Sequence, residues 1–461
     1  MRRFFGDRAF YRKVFAIMLP ILIQNVITNG VSLLDNIMVG RLGTEPMSGV
    51  AIVNQLMFVF NLCIFGGISG AGIFTTQFYG SGDEAGIRHT VRMKLYIVMV
   101  SVIVFFTVFL LFGERLVELF LHEGEENLNL ALTLNYGMEY LAWMLASMLP
   151  FAISQVYAST LRETGETFVP MISGIIAIVV NLGLNYVFIF GKLGMPAMGV
   201  AGAAIGTIAA KIVECAIVVI WTHTHTARFT YAKGLFASAK VPQKLLKSIS
   251  VKGLPLLLNE MLWASGMTML NQCYSVRGLE VVSAVNISST VSNLFFCSFF
   301  AMGATVSIII GQLLGAEKFE QAVDEDRKLI MLSVLLCSAV GVIMALVAPF
   351  IPQIYNTTDS VKLLACDLLL VSSAMMPVDA FTNASYFTLR SGGKTFITFL
   401  FDSGFVWCVC VTTALVLSRL TNISIIPMFI IIRALDIIKC VIGYILIKKR
   451  KWVNNLTVNQ A

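Results

Sequence analysis

Three carboxylates stand inside long apolar stretches of this chain: Asp35, Glu260 and Asp379. An ionised side chain at the centre of a bilayer costs about 2.5–3.5 kcal/mol on insertion scales, so such a residue marks an ion or substrate path or is satisfied by a neighbouring helix. Asp35 lies in S-L-L-D-N-I-M-V-G-R-L-G. Gln24 precedes it by eleven residues, roughly 20° away around a helix, and Thr28 falls between them on the same face. This polar stripe is expected to face a bundle interior or a cleft. The plainer alternative is a structural carboxylate satisfied by a neighbour. A second stripe joins Asn259, Glu260, Trp263, Met267, Asn271 and Tyr274 on one broad helical face. A third follows Pro377 and carries Asp379, Asn383, Tyr386 and Arg390 at helical spacing. The alternatives here are a lone carboxyl kept protonated in the core and an aspartate at a proline kink. Because Glu260 and Asp379 come from different helices of one half, they are expected to form a carboxylate pair. Such a pair suits a proton held in low dielectric, or a sodium ion bound with help from Asn and carbonyl oxygens. Asn181 and Asn185, four apart, supply oxygen ligands or ordinary interhelical hydrogen bonds. Lys211/Glu214, Asp402 and Arg433/Asp436/Lys439 are read as structural, since spacings of three residues allow self-pairing.

The elements that must position these residues are membrane helices. Hydrophobic residues make up 57% of the 461 residues and charged ones only 13%, against roughly 25% charged in soluble domains. Apolar stretches of the roughly 20 residues that a bilayer crossing needs recur along the chain. Twelve spans are expected at 14–40, 47–79, 91–113, 128–157, 168–190, 199–221, 250–275, 281–314, 329–355, 363–389, 395–418 and 426–447. The first apolar run is too long for a signal-peptide core, so it is read as a permanent span. An even number of spans puts both termini on one side. Of the 33 lysines and arginines, 24 fall on that side when Arg92, Lys94 and Lys252 at the span ends facing it are included, 6 fall on the other, and Lys211, Arg433 and Lys439 lie within spans. The positive-inside rule then predicts a multi-pass protein of the cell (inner) membrane with both termini cytoplasmic. The net charge of +7 is therefore mostly a topology signal, and scattered basic residues argue against a nucleic-acid partner. The Glu-rich segment 123–126 reads as an external solvated connector. The nine cysteines contain no CxxC pair, and no disulfide framework or zinc spacing is read from them.

The basic stretch 222–249 reads as a cytoplasmic linker between two lobes, 14–221 and 250–447. Its H-T-H pair, His223 and His225, offers no third metal ligand. The lobes repeat each other. A shift of 235 residues lays Pro20 on Pro255, Gly43 on Gly278, Phe60 on Phe295, Gln77 on Gln312 and Gly80 on Gly315. T-L-R-E-T-G-E-T at 160–167 recurs as T-L-R-S-G-G-K-T at 388–395. Each lobe has six spans, so the repeats are parallel and related by an axis along the membrane normal. The fold expected is thus an all-α membrane protein of two six-helix bundles with pseudo-two-fold symmetry. A cleft between the bundles that opens alternately to each side is the expected mechanism. The S-G-G-K-T at 391–395 is not a phosphate-binding loop, because the required earlier glycine is Thr388 and no strand precedes it. The energy source is therefore expected to be an ion gradient.

The pieces D-N-I-M-V-G-R-L-G (35–43), Q-F-Y-G-S-G (77–82), T-L-R-E-T-G-E-T (160–167), N-Y-V-F-I-F-G (185–191), G-V-A-G-A-A-I-G-T (199–207) and P-V-D-A (377–380) occur in that order. In them the chain resembles the multidrug and toxic compound extrusion (MATE) family over nearly its whole length, and its norfloxacin-efflux branch in particular. The resemblance implies export of cationic, amphipathic drugs and dyes in exchange for sodium ions or protons, with the bilayer and small organic cations as the partners. A monomer without enzyme activity or a bound cofactor is expected. The family's carboxylate in span one matches Asp35, and its second-half carboxylates match Glu260 and Asp379. The other prokaryotic branch has an aspartate where this chain has Asn185. That departure favours sodium, held at Glu260 and Asp379, over a proton pair in the first half. The 22 methionines and 33 phenylalanines mostly face lipid or fill packing gaps, and those on a cleft would make an adaptable wall. Two other readings stay in view. A flippase for lipid-linked precursors belongs to the same superfamily and calls for a more basic cleft. An intramembrane prenyl transferase or hydrolase calls for DDxxD, GxSxG or HExxH, and none is present.

Overall fold

The computed structural model describes residues 4–121, 129–355 and 357–458, without the side chains of Ser32 and Leu33. The Glu-rich segment 123–126 lies outside the described residues. Twelve long helices follow one another, and among the described residues there is no β-strand. They are α1 Arg8–Gly40, α2 Thr44–Ser81, α3 Glu84–Glu118, α4 Leu130–Glu163, α5 Phe168–Phe190, α6 Gly199–Thr224, α7 Gln243–Ser275, α8 Leu279–Gly315, α9 Phe319–Val347, α10 Asp359–Ser391, α11 Thr395–Leu420 and α12 Ile425–Lys448. Each of the twelve expected spans falls on one long helix. Ten of the helices are long and apolar enough to cross a membrane by length and composition alone. The other two are α7, diluted by Asn259 and Glu260, and α12, which carries Arg433, Asp436 and Lys439. These are the helices whose polar residues must be satisfied by partners rather than by lipid.

Helix ends follow local chemistry. Asp7 accepts the Phe10 N–H at 2.8 Å and Asn129 accepts the Leu132 N–H at 3.1 Å, starting α1 and α4. Span nine ends earlier than expected: α9 stops at Val347, and Pro352 sits in a short 3₁₀ turn, Ile351–Ile354. Prolines 20, 150, 255 and 377 lie inside α1, α4, α7 and α10 without ending them, as neighbouring groups in a membrane bundle allow. The two T-L-R motifs both close on a left-handed glycine, Gly165 at φ 84° and Gly393 at φ 70°, where any Cβ would be strained. In α11 the stretches Leu400–Gly404 and Val406–Val411 are π-helical. The Asn259 side chain reaches in there and accepts the Ser403 N–H at 3.2 Å, the kind of insertion that opens a helical turn.

The chain forms two compact units. The N-terminal unit is Ile23–Thr75 with Glu84–Leu246; the C-terminal unit is Met1–Leu22, Thr76–Asp83 and Lys247–Ala461. Helices α1 and α2 therefore each give one end to the C-terminal unit. The reason is packing: Phe10, Val14 and Met18 of α1 join the core of α8, α9 and α10 with Trp452. At the end of α2, the matched residues of the repeat meet. A Cβ on Gly80 would overlap the Gln312 carbonyl, and one on Gly315 would overlap the Gln77 carbonyl. The same Q-x-x-G is thus used twice, reciprocally, to bring α2 and α8 into backbone contact. The tail closes over this crossing: Gln77 Nε2 donates to the Ser391 carbonyl at 2.9 Å and Gln77 Oε1 accepts the Leu456 N–H at 2.6 Å.

The segment between α6 and α7 is not a free linker. Phe229, Tyr231, Ala232 and Leu235 are buried. Arg88, Arg92 and Tyr96, spaced four apart on α3, donate to its carbonyls. His223 belongs to the end of α6, where its Nε2 and the Tyr157 hydroxyl share a 2.9 Å hydrogen bond, and His225 stacks on Trp221.

Candidate functional site

In the N-terminal unit, α1, α5 and α6 converge on Asp35, which is half-buried. Asn185 Nδ2 donates to its Oδ1 at 2.9 Å. The Asn181 amide is best satisfied with its nitrogen toward the same carboxylate, at 2.9 and 3.1 Å, and its oxygen accepting from the Thr207 hydroxyl at 3.3 Å. The four-residue spacing of the two asparagines places both amides on the face of α5 that meets Asp35. Tyr140 lies close by and donates to Asn54 at 3.4 Å. Gly206 is what lets α6 come so near: a Cβ there would overlap Asn185 Oδ1. Among the described residues no Lys or Arg forms an ion pair with Asp35, and Asn185 Oδ1 is buried without a hydrogen-bond partner. The group is therefore one carboxylate among neutral amides and a hydroxyl.

The rest of the stripe on α1 is used differently. Gln24 is half-buried, about three turns from Asp35 along α1, and accepts from Arg162 Nη2 at 2.8 Å. Thr28 is exposed. Deeper in the same unit the ammonium of Lys94, wholly buried, bonds Glu163 and the hydroxyls of Ser159 and Thr160, the last two at 3.2 Å. Lys211 pairs with Glu214 at 3.1 Å, as its spacing suggested.

The C-terminal unit is arranged otherwise. Asp379 of α10 forms an ion pair with Arg433 of α12 at 2.6 Å. Asp402, in the π-helical part of α11, pairs with Lys439 of α12 at 2.6 Å. The expectation of self-pairing within α12 holds only weakly: Arg433 reaches Asp436 at 3.4 Å, and its shorter contact crosses to another helix. Asn259 is fully buried and ties the cluster, donating to Asp402 at 3.0 Å and to the Tyr386 hydroxyl at 3.3 Å. Glu260, next to it, is half-buried, and the charges acting on it are those of Arg390 and Asp402. The structure thus gives Asp379 to Arg433 and sets Glu260 beside other charges. Asn383 Oδ1 is buried without a partner, against Gly303. Trp263 is half-buried, while Met267 and Asn271 lie on the exposed face of α7. Asp326 of α9 is buried and accepts from the Thr388 hydroxyl at 2.6 Å. Among the described residues no three His, Cys, Asp or Glu side chains group closely enough to hold a metal ion.

Several participants escaped the sequence reading. Thr207 closes the G-V-A-G-A-A-I-G-T run, yet nothing local says it faces α5. Arg433, Lys439 and Asp402 drew attention as charges inside spans, but their partners are on other helices. Ser403, Lys94 and Asp326 carry no spacing signal.

Comparison with known proteins gives a consistent picture. The MatE family model matches twice, over residues 20–187 and 255–410, one match in each half of the repeat. The chain is 23% identical over 445 residues to a Thermotoga maritima protein called probable multidrug resistance protein NorM, covering 96% of this chain and 93% of that one. It is 24% identical over 426 residues to the Bacillus subtilis protein called probable multidrug resistance protein YoeA, covering 91% and 89%. Among solved structures, the Vibrio cholerae MATE transporter VcmN superposes with a TM-score of 0.85 at 18% identity, covering 96% of this chain and 97% of that one. A Pyrococcus furiosus transporter of the MOP superfamily, described as having a binding pocket of reversed polarity, superposes with a TM-score of 0.86 at 18% identity, covering 97% of each. These likenesses establish the fold.

Proposed function

The chain belongs to the MatE family, and on that premise we propose that it is an ion-driven exporter of amphipathic organic cations working by alternating access. It is a multi-pass membrane protein, and the proposal places it in the cell membrane with both termini cytoplasmic. The observation that carries the reading is the Asp35 group. A carboxylate without a built-in cation partner, ringed by two amides and a hydroxyl, suits a small cation that comes and goes. The amides fit both states. With their N–H groups turned inward they stabilise the bare carboxylate; turned over, they offer oxygens to a sodium ion, which prefers oxygen ligands as hard cations do. Asn185 Oδ1 is buried against Gly206 without a hydrogen-bond partner, and a turn of its amide would bring it to the carboxylate. In the C-terminal unit Asp379 and Asp402 have cations of their own, so their charge is neutralised without a coupling ion. Glu260 remains as a second coupling candidate, with the charges of Arg390 and Asp402 acting on it. The coupling ion is proposed to be sodium, with a proton as the alternative.

The test is dye efflux from proteoliposomes under an imposed sodium gradient and then under a proton gradient. Sodium-driven ethidium export supports the proposal; export under neither gradient rejects ion-driven efflux. The flippase reading calls for a basic cleft, whereas Arg390, Arg433 and Lys439 of the C-terminal unit stand beside Glu260, Asp379, Asp436 and Asp402. Translocation of a lipid-linked sugar without dye efflux would establish it instead.

A further inference from the structure

A second site lies in the N-terminal unit, away from Asp35. A cavity of about 930 Å³ opens between α3, α4, α6 and the segment after α6. Its volume falls within the roughly 300–1,000 Å³ usual for small-molecule sites. Tyr96, Met99, Tyr157, Ile220, His223 and Phe236 shape it, and its walls are nearly all hydrocarbon. On α6 it runs from Ile212 to His223, about 16 Å at 1.5 Å per residue. That is close to one leaflet of a hydrocarbon core about 30 Å thick. Met99, Ile212, Ile220 and Phe236 are exposed along its mouth. At this depth an open apolar crevice cannot hold water favourably, and the molecules beside it are lipids.

The rim adds a second requirement. Arg92 is buried and spends its guanidinium on three carbonyls, those of Leu235, Gly234 and Lys240, at 2.8, 2.9 and 3.2 Å. Arg88 donates to the Tyr231 carbonyl at 3.2 Å. Carbonyls orient these cations but do not neutralise them. Lys233 and Lys240 follow on the exposed surface of the same segment. Among the described residues none of these four forms an ion pair with a carboxylate. Cations without counter-ions above an apolar slot one leaflet deep describe the outline of an anionic amphiphile.

We infer that this cavity binds an anionic phospholipid, its acyl chains between α3, α4 and α6 and its phosphate at the basic rim of the segment joining the two halves. The inference rests on the chain spanning a membrane but not on which ion drives transport, so its test reads lipid retention and not efflux. The full-length protein in detergent is offered phosphatidylglycerol or phosphatidylcholine and examined by native mass spectrometry. Phosphatidylglycerol should be retained in preference. Ala216→Trp fills the slot and should lower retention of both lipids about tenfold. Lys240→Glu keeps the backbone carbonyl that Arg92 uses, sits on the exposed rim, and should lower phosphatidylglycerol retention about fivefold with phosphatidylcholine unchanged. An excess of inorganic phosphate should not displace the lipid, because the acyl chains supply most of the affinity. Equal retention of both lipids by the unaltered protein, or unchanged preference in Lys240→Glu, would overturn the inference. Displacement by phosphate alone would also overturn it, by showing a simple anion site.

Discussion

The two units are built on one repeat, and their polar interiors have opposite character. Thr160 and Thr388 occupy the same place in the T-L-R motif. The first takes a hydrogen bond from the ammonium of Lys94, and the second gives one to the carboxylate of Asp326. Gln24 and Asn259 are equivalents under the 235-residue shift, as are Arg162 and Arg390 within the motif. Arg162 bonds Gln24 and faces the carboxyls of Glu214 and Glu163, whereas Arg390 faces the carboxyl of Glu260. Asp35 lies among amides, while Asp379 and Asp402 carry their own cations. What the repeat holds constant is the backbone: glycines at turns and crossings, prolines within helices. Side-chain charge is free to differ, provided that each unit balances its own interior. Asp35, which has no cation partner among the described residues, is the carboxylate that the proposed function assigns to an exchangeable ion.

The largest effect that tests this contrast is at Asp35. Asp35→Asn keeps the shape and removes the charge, so dye efflux should fall at least about tenfold with normal expression. Wild-type efflux would make Asp35 structural and erase the difference between the units. Next is the C-terminal ion pair. Asp379→Asn leaves the Arg433 guanidinium with only its weaker partner, and unfolding in detergent should show a loss of about 3 kcal/mol. Adding Arg433→Gln should restore most of it. In efflux assays Glu260→Gln and Asp379→Asn should be close to additive, because they have separate partners. A double variant no worse than either single one would mean that the two carboxylates share one ion, contrary to the contrast drawn here.

The shared backbone is tested at the helix crossing. Gly80→Ala and Gly315→Ala each force a methyl group onto a carbonyl, and each should cost about 1–3 kcal/mol in thermal unfolding. Unequal costs would show that the crossing is not reciprocal. The smallest effects sharpen the polarity difference. Thr160→Val removes one of three bonds to Lys94 and should cost under about 1 kcal/mol. Thr388→Val leaves the Asp326 carboxylate without its hydroxyl donor and should cost about 1–3 kcal/mol. The reverse order would place the greater polar strain in the N-terminal unit.

Much of this architecture was already present in the sequence. Hydrophobic length is a local property, so the fifth span was expected at 168–190, where α5 runs from Phe168 to Phe190. The repeat was legible because a matched glycine or proline reports a backbone demand that side-chain context does not alter. The Asp35, Asn181 and Asn185 positions could be singled out because polar residues in apolar helices are few. Their meeting could not be read, since it depends on α1, α5 and α6 being neighbours. The same limit explains α12. From sequence, Arg433 has Asp436 three residues away as its natural partner, and the contact exists at 3.4 Å. Packing α10 against α12 offers Asp379 at 2.6 Å instead. It likewise hands Lys439 to Asp402 across to α11. A single chain of residues fixes which groups must be neutralised inside a membrane, because burial of charge is costly wherever it occurs. Which partner neutralises each of them is fixed only when helices distant in sequence come to lie side by side.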